Sequence, residues 1–234
     1  MNDKLTILSL GGSIIAPDTV DIAFLKDFDI ALREYLAEDA ERQVILVCGG
    51  GAPARTYQQA YRAIAPIPSA SEQDWIGIKA THLNGQLLRA IYNDLCRDDL
   101  VTDPTAEIAF TGQVLVAAGW KPGFSTDTDA VYLAEKFGGR KIVNLSNIAK
   151  VHTADPRTDK NAKPLDAISW ADFRKMVGDT WTPGKNTPFD PIASKRASEL
   201  GVTVICADGR NIGNTMAILR GEEFTGTIIG GASE

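Results

Sequence analysis

Five short apolar runs punctuate the chain: "LTILSL" (5–10), "VILVC" (44–48), "QVLVAA" (113–118), "KIVNL" (141–145) and "VTVICA" (202–207). Each is rich in Val, Ile and Leu and is bounded by turn residues, the pattern of strands covered on both faces. Between the runs, apolar residues fall three and four positions apart. That spacing predicts helices over 20–38, 76–97, 128–138 and 191–201. In the second of these, Leu83, Leu87, Leu88 and Ile91 are expected on one face. The stretch 128–138 ends at a glycine, and 191–201 has Pro191 just inside its start and Gly201 at its end, the usual asymmetry of helix termini. A further helix-like stretch carrying Arg55 follows the second run. Strands alternating with helices imply an α/β fold with a largely parallel sheet and helices on both faces. No internal repeat or low-complexity linker divides the chain. A cut near residue 140 gives two lobes, 1–139 and 140–234, of a single domain 1–234, although no composition break marks it.

Composition narrows the class. The chain has 234 residues, 44% of them hydrophobic, enough for the core of one large domain. Lys and Arg number 24 against 30 Asp and Glu, a net charge of −6, which argues against a broad nucleic-acid surface and leaves room for a local basic pocket. Cys48, Cys96 and Cys206 form no CxxC pair, and two lie in strand-like runs, so buried reduced thiols are expected. Two histidines without a cluster give no zinc-type ligand spacing, and no protein metal site is expected. No signal-type apolar region opens the chain, and no run approaches the ~18 residues of a membrane span. The expectation is a cytoplasmic protein with neither membrane nor nucleic-acid partners.

The candidate chemistry sits where strands end. "GGS" (11–13) follows the first run and "GGG" (49–51) the second. In parallel sheets ligands bind beyond the carboxyl ends of strands. Glycine lets backbone N–H groups approach an anion, and the next helix adds its positive dipole end. Neither turn carries the GK[ST] of a P-loop, and GxGxxG is absent. Each alone reads equally as a tight turn; two at equivalent strand ends suggest facing phosphate cradles. Arg55 reads as a phosphate clamp or as a solvated surface residue. "PGFSTDTDA" (122–130) places Ser125, Thr126 and Asp127 at a helix start, which an N-cap with an acidic first turn would also explain. "FDPIASK" (189–195) places Asp190 at another helix start with Lys195 one turn inside; it is a cap with a surface lysine, or a group that neutralises charge on a transferring phosphoryl. The stretches 119–127 and 178–190 read as loops over a site.

Six segments, in order, resemble the amino acid kinase family, and within it the archaeal type of uridylate kinase: "SLGGSII", "VCGGGAPAR", "DWIGIKATHLNGQLL", "GFSTDTDAVYLAE", "VHTADPRTDKNAK" and "DPIASKRASELG". The resemblance implies a three-layer αβα sandwich with a mainly parallel central sheet, one nucleotide in each half, the reaction UMP + ATP → UDP + ADP with Mg²⁺, and a homo-oligomer, typically a hexamer. It places UMP near Gly50, Asp74 and Gly77, with Asp74 accepting from ribose hydroxyls. The loop Trp120, Lys121, Pro122, Gly123, Phe124, Ser125 and Thr126, with Asp127, would wrap the uridine and its phosphate. It places ATP near Gly11, Gly12, Ser13 and Gly51, with Arg55 on phosphate and with Ser146, Asn147, His152 and Asp155 on the nucleoside side. Lys195 would stabilise the transition state, Asp190 would orient Lys195, and Arg55 completes the catalytic set.

The sequence also departs from that family. Ser9 stands where many members have a lysine, and Ala52 where archaeal relatives read GGGK. The usual "NVDGVYTADP" reads "NIAKVHTADP" (147–156), with Ala149, Lys150 and His152 changed. These changes bear on the phosphate donor. Two alternatives stay open: a kinase of this family with another small acceptor, and a non-catalytic protein that stores oxyanions or nucleotides on this fold.

Overall fold

A computed structural model describes residues 2–178 and 187–231. The expected strands form: β1 (Leu5–Leu10), β2 (Gln43–Cys48), β3 (Val114–Ala117), β4 (Lys141–Ser146) and β6 (Thr203–Asp208). Two short strands that the pattern did not signal, β5 (Ala167–Ile168) and β7 (Thr227–Ile229), complete the sheet. Runs of two and three residues are too short to show a period. The helices are α1 (Gly12–Ile15), α2 (Ile22–Ala37), α3 (Gly51–Ile64), α4 (Ala70–Ile91), α5 (Thr126–Phe137), α6 (Trp170–Val177), α7 (Pro191–Leu200) and α8 (Ile212–Arg220). Of these, α1, α6 and α8 lie outside the sequence expectation.

Local chemistry sets the helix ends. Ser125 caps α5, its hydroxyl accepting from the Thr128 N–H, and Gly138 closes that helix at φ 70°. Asp190 caps α7, and Gly201 closes it at φ 65°. The helix expected over 76–97 starts earlier, at Ala70, where the Ser69 hydroxyl caps it by accepting from the Glu72 N–H. Its buried face also differs from the expected one. Ile78, Thr81, Asn84, Gly85 and Leu88 are buried, while Leu83 is 68% exposed. Those buried positions follow the three- and four-residue spacing, and polar Thr81 and Asn84 mask it in the sequence.

The sheet order is β3-β2-β1-β4-β6-β7-β5. All pairings are parallel except β6 with β7. Strand residues alternate between two cores, as the two-residue period requires. Leu8, Leu10, Val44 and Leu46 pack against α2, α8 and the C-terminal part of α4. Leu5, Ile7, Ile45 and Val47 pack against α5, α6 and α7. The result is three layers, αβα, with the central strands covered on both faces. Phe28, Leu32 and Leu36 of α2 are fully buried at four-residue intervals, each contributing about 1.5–3 kcal/mol of burial. The cut near 140 falls between α5 and β4; the sheet runs across it, and both cores draw on both sides.

β1 is flanked by β2 on one side and β4 on the other, so winding reverses there, and a crevice opens beyond the carboxyl ends. The "GGS" and "GGG" turns, the loop after β3 and the turn after β6 all leave from that edge. Cys48, Cys96 and Cys206 are free and buried, as expected. Among the described residues no helix is long and apolar enough to cross a membrane. Of the expected loop 178–190, residues 179–186 lie outside the described residues.

Candidate active site

The two glycine turns meet. A Cβ on Gly12 would lie 1.9 Å from the Gly51 nitrogen, and one on Gly49 would lie 2.3 Å from the Gly12 nitrogen. Backbone packs directly on backbone, and no side chain fits between. Gly51 also holds φ at +67°, which strains any other L-residue. Of the turn amides, those of Gly11, Gly49 and Ala52 donate to the carbonyls of Leu145, Leu10 and Ala16, which leaves the N–H groups of Gly12, Ser13, Gly50 and Gly51 as the ones among the described residues that can meet an anion. Two buried or structural side chains brace the pair, and the sequence did not single them out. The Asn84 amide donates to the carbonyls of Gly49 (2.7 Å) and Gly50 (3.3 Å). Arg210 donates to the Ser13 carbonyl (3.1 Å) and pairs with Asp21 (2.9 Å). For Asn84 the available signal was a polar residue on an apolar helix stripe.

The loop after β3 lies against α4. The Asp74 carboxylate accepts from the Gly123 N–H at 3.0 Å, so two residues expected near the acceptor do meet. Gly77 lies one turn on and faces Gln58 of α3. Trp120 and Phe124 have ring centroids 4.9 Å apart, and the Lys121 ammonium sits 3.7 Å from the Trp120 centroid. Pro122 and Gly123 turn the chain between them, Gly123 at φ +84°. The loop runs into α5 through its cap, Ser125, and Thr126, its first residue.

At the centre, the N-termini of α5 and α7 converge. Asp127 of α5 accepts from the Asp190 N–H (3.1 Å) and from the Ser9 hydroxyl (3.4 Å). Burial, and then the nearby Asp190 carboxylate, push the Asp127 carboxyl up to about 7 against those two hydrogen bonds. No hydrogen bond or ion pair joins Asp190 to Lys195 among the described residues. Its carboxylate accepts from the Ile192 and Ala193 N–H groups at 2.8 and 2.9 Å and caps α7. Lys195 is exposed on α7, five residues beyond Asp190 and so on a different side of the helix, and no hydrogen bond or ion pair reaches it among the described residues. Asp129, one further residue that sequence reasoning passed over, is 1% exposed with Oδ1 unpartnered. Burial raises its carboxyl to about 7, and the Asp127 and Asp103 charges add to the rise.

Other expected residues are engaged differently. Arg55 is exposed and donates to the Pro17 carbonyl at 3.0 Å, tying α3 to the segment after α1. Ser146 ends β4 and its carbonyl accepts from the Gly209 N–H. Asn147 is exposed. The His152 Nδ1 hydrogen-bonds the Lys150 carbonyl at 3.1 Å, turning one polar edge of the ring back onto its own loop. Asp155 is held by Arg157 at 2.8 Å, which lowers its carboxyl to about 2. Lys150 pairs with Asp166. The changed segment thus leads into a self-braced hairpin over 151–165, in which the Thr153 N–H donates to the Lys163 carbonyl and the Leu165 N–H to the Val151 carbonyl.

Two layers of helix on a parallel sheet, with glycine turns abutting at the switch point, define the class of fold. Residues 4–208 match the amino acid kinase family, and the chain belongs to that family. The uridylate kinase of Methanospirillum hungatei is 32% identical over 226 residues, covering 95% of this chain and 93% of the relative. That of Methanocorpusculum labreanum is 31% identical over 231 residues, covering 97% and 96%. The crystal structure of uridylate kinase from Archaeoglobus fulgidus superposes with a TM-score of 0.80 at 29% identity, covering 96% of this chain and 99% of that one. The UMP kinase from Bacillus anthracis, at 21% identity and a TM-score of 0.74, shares the fold.

Proposed function

We propose that this chain is a phosphotransferase that passes the γ-phosphoryl group of ATP to UMP, giving UDP and ADP. The observation that carries the reading is the backbone contact of the two glycine turns at the switch point, where two phosphate chains can lie end to end. The full-length similarity to archaeal proteins named uridylate kinase supports the choice of acceptor. An acceptor phosphate oxygen attacks the γ-phosphorus in line, and the bond to the β–γ bridging oxygen breaks. No covalent intermediate on the protein is needed, because positioning and electrostatics suffice.

The acceptor half is 1–139. Asp74 receives ribose hydroxyls, and the loop 120–126 encloses the base and phosphate. The donor half is 140–234, reached through Gly12, Ser13 and the 146–155 segment. Lys195, unpaired in the described structure, swings toward the transferring phosphoryl oxygens, and Arg55 adds a second cation. Among the described residues no group of three or more His, Cys, Asp or Glu is arranged to hold a metal ion. Mg²⁺ would be carried mainly by the nucleotide phosphates, with Asp127 as the carboxylate that could reach it. When bound, Mg²⁺ neutralises charge on the phosphate oxygens. The enzyme acts in the cytoplasm as a homo-oligomer, a hexamer by family resemblance.

The test is ADP release from Mg·ATP with UMP, CMP, AMP, GMP, isopentenyl phosphate, acetylglutamate or no acceptor. Turnover of about 1–100 s⁻¹ with UMP alone is expected. Lys195→Ala is expected to lower kcat by roughly a hundredfold or more. A variant within a few-fold of wild type removes Lys195 from the mechanism. Turnover of UMP only when GTP replaces ATP reassigns the donor, and silence with both nucleotides turns the reading toward binding or storage.

A further inference from the structure

We infer that His82 is a positioning residue for the acceptor: it holds the root of the loop 119–124 against α4 without touching the substrate. The inference rests on the reading that this loop receives UMP. Gly119 is the first residue of the loop, and consecutive side chains of α4 claim both of its backbone polar groups. Its N–H donates to the Thr81 hydroxyl at 2.8 Å. Its carbonyl is bonded by the His82 Nε2, also at 2.8 Å. A carbonyl only accepts, so Nε2 carries the hydrogen. Thr81 in turn donates its own hydroxyl hydrogen to the Ile78 carbonyl at 2.6 Å, which leaves an oxygen lone pair for Gly119. Residues 81 and 82 point about 100° apart on a helix, so they straddle Gly119 rather than stack on one side. The seat is tight: a Cβ on Gly119 would come within 3.0 Å of the Thr81 hydroxyl oxygen.

Two carboxylates hold the chain further along. Asp129 accepts from the Trp120 N–H at 3.3 Å, and Asp74 from the Gly123 N–H at 3.0 Å. Between these points lie the Trp120–Phe124 ring contact and Lys121 over both rings. Three anchors on a short loop fix where the aromatic rings and the ammonium stand. His82 differs from the others in chemistry. Asp74 is expected to meet the acceptor, and Asp129 is wholly buried, whereas the half-buried His82 acts only through Gly119. Loss of its hydrogen bond frees the loop's root and spreads the ring positions, with α7 and Lys195 left as they are. The consequence falls on acceptor binding and not on the chemical step.

The experiment is steady-state kinetics on His82→Ala, His82→Asn and His82→Gln. A glutamine amide nitrogen reaches where imidazole Nε2 sits; an asparagine amide is too short. For Ala and Asn, the KM for UMP is expected to rise about tenfold, the worth of one lost hydrogen bond, with kcat and the donor KM changed by less than roughly threefold. Gln is expected to restore the KM to within about threefold of wild type. The inference is overturned by an unchanged UMP KM in His82→Ala, by equal rises in both KM values, or by a Gln variant no better than Asn. Amide hydrogen exchange over 118–126 gives a readout independent of the reaction: faster exchange with Ala and Asn, wild-type exchange with Gln. Wild-type protein that phosphorylates no acceptor defeats the reading of the reaction, and exchange still decides the latch. If thermal melts show that His82→Ala does not fold, the Asn and Gln pair decides.

Discussion

Replacing Asp129 by asparagine is expected to stabilise the fold at about pH 8 and to have little effect near pH 5. The carboxyl is 1% exposed, accepts one hydrogen bond from the Trp120 N–H, and leaves Oδ1 without a partner. Burial lifts it from 3.8 to about 7, with Asp127 and Asp103 facing it and adding to the rise. Between those values the folded state keeps a proton that the unfolded state has lost. The folded state therefore binds more protons, and stability falls as pH rises, by about 1.4 kcal/mol per pH unit. A shift of roughly three units makes the ionised carboxylate about 4 kcal/mol worse above pH 7 than an unperturbed one. Asparagine never ionises and keeps an oxygen for Trp120. Its amide N–H₂ takes the unpartnered position, at a cost of about 1–3 kcal/mol. Near pH 5 that cost roughly offsets the ~1.7 kcal/mol the aspartate chain has already lost, so the two chains differ little there. The net gain for the variant at pH 8 is about 1–3 kcal/mol. Urea unfolding of both chains at fixed ionic strength, from about pH 5 to pH 8, gives the difference curve. A difference that stays flat across this range refutes the reasoning, because a carboxyl that ionises normally in the folded state imposes no such slope.

Gly51→Ala must hold a side chain at φ +67° with its Cβ 2.4 Å from the Gly12 carbonyl oxygen and 2.5 Å from that of Ala16. The left-handed strain and the clash together are expected to cost about 3 kcal/mol, and a loss below about 1 kcal/mol in urea unfolding shows that the turns can separate. Asp74→Asn keeps an oxygen for the Gly123 N–H but removes the charge, so it separates loop support from ribose recognition. The KM for UMP is expected to rise about fivefold or more with the donor KM unchanged, and an unaltered KM removes Asp74 from the acceptor site.

Most of the sheet was legible because strands buried on both faces write themselves as continuous Val, Ile and Leu runs. β5 and β7 escaped because two or three residues carry no period. The site was legible where backbone does the work. "GGS" and "GGG" marked turns at strand ends, and the structure brings them into contact. Side-chain partnerships were harder to see. The pairing of Asp190 with its own helix amides, rather than with Lys195, is what its position before Pro191 dictates, since a carboxylate at a helix start finds unbonded N–H groups first. Asp155 likewise bonds Arg157, two residues away. Thr81, His82 and Asn84 gave the weakest signal, because their contacts lie across the fold, in turns that sequence spacing does not reach.

The replacement of a lysine by Ser9 changes how the centre carries its charge. A lysine beside Asp127 would pair with it and keep the carboxylate ionised. Ser9 offers only a hydroxyl, 3.4 Å away, and among the described residues the backbone donor is the Asp190 N–H. Burial and the neighbouring Asp190 carboxylate push the Asp127 carboxyl up to about 7, so its charge costs more here than beside a lysine. The cationic side chains proposed to meet the nucleotides, Lys195, Arg55 and Lys121, all lie within reach of solvent in the described structure. A charge at the rim is more screened than one at the centre, so each is worth less per contact.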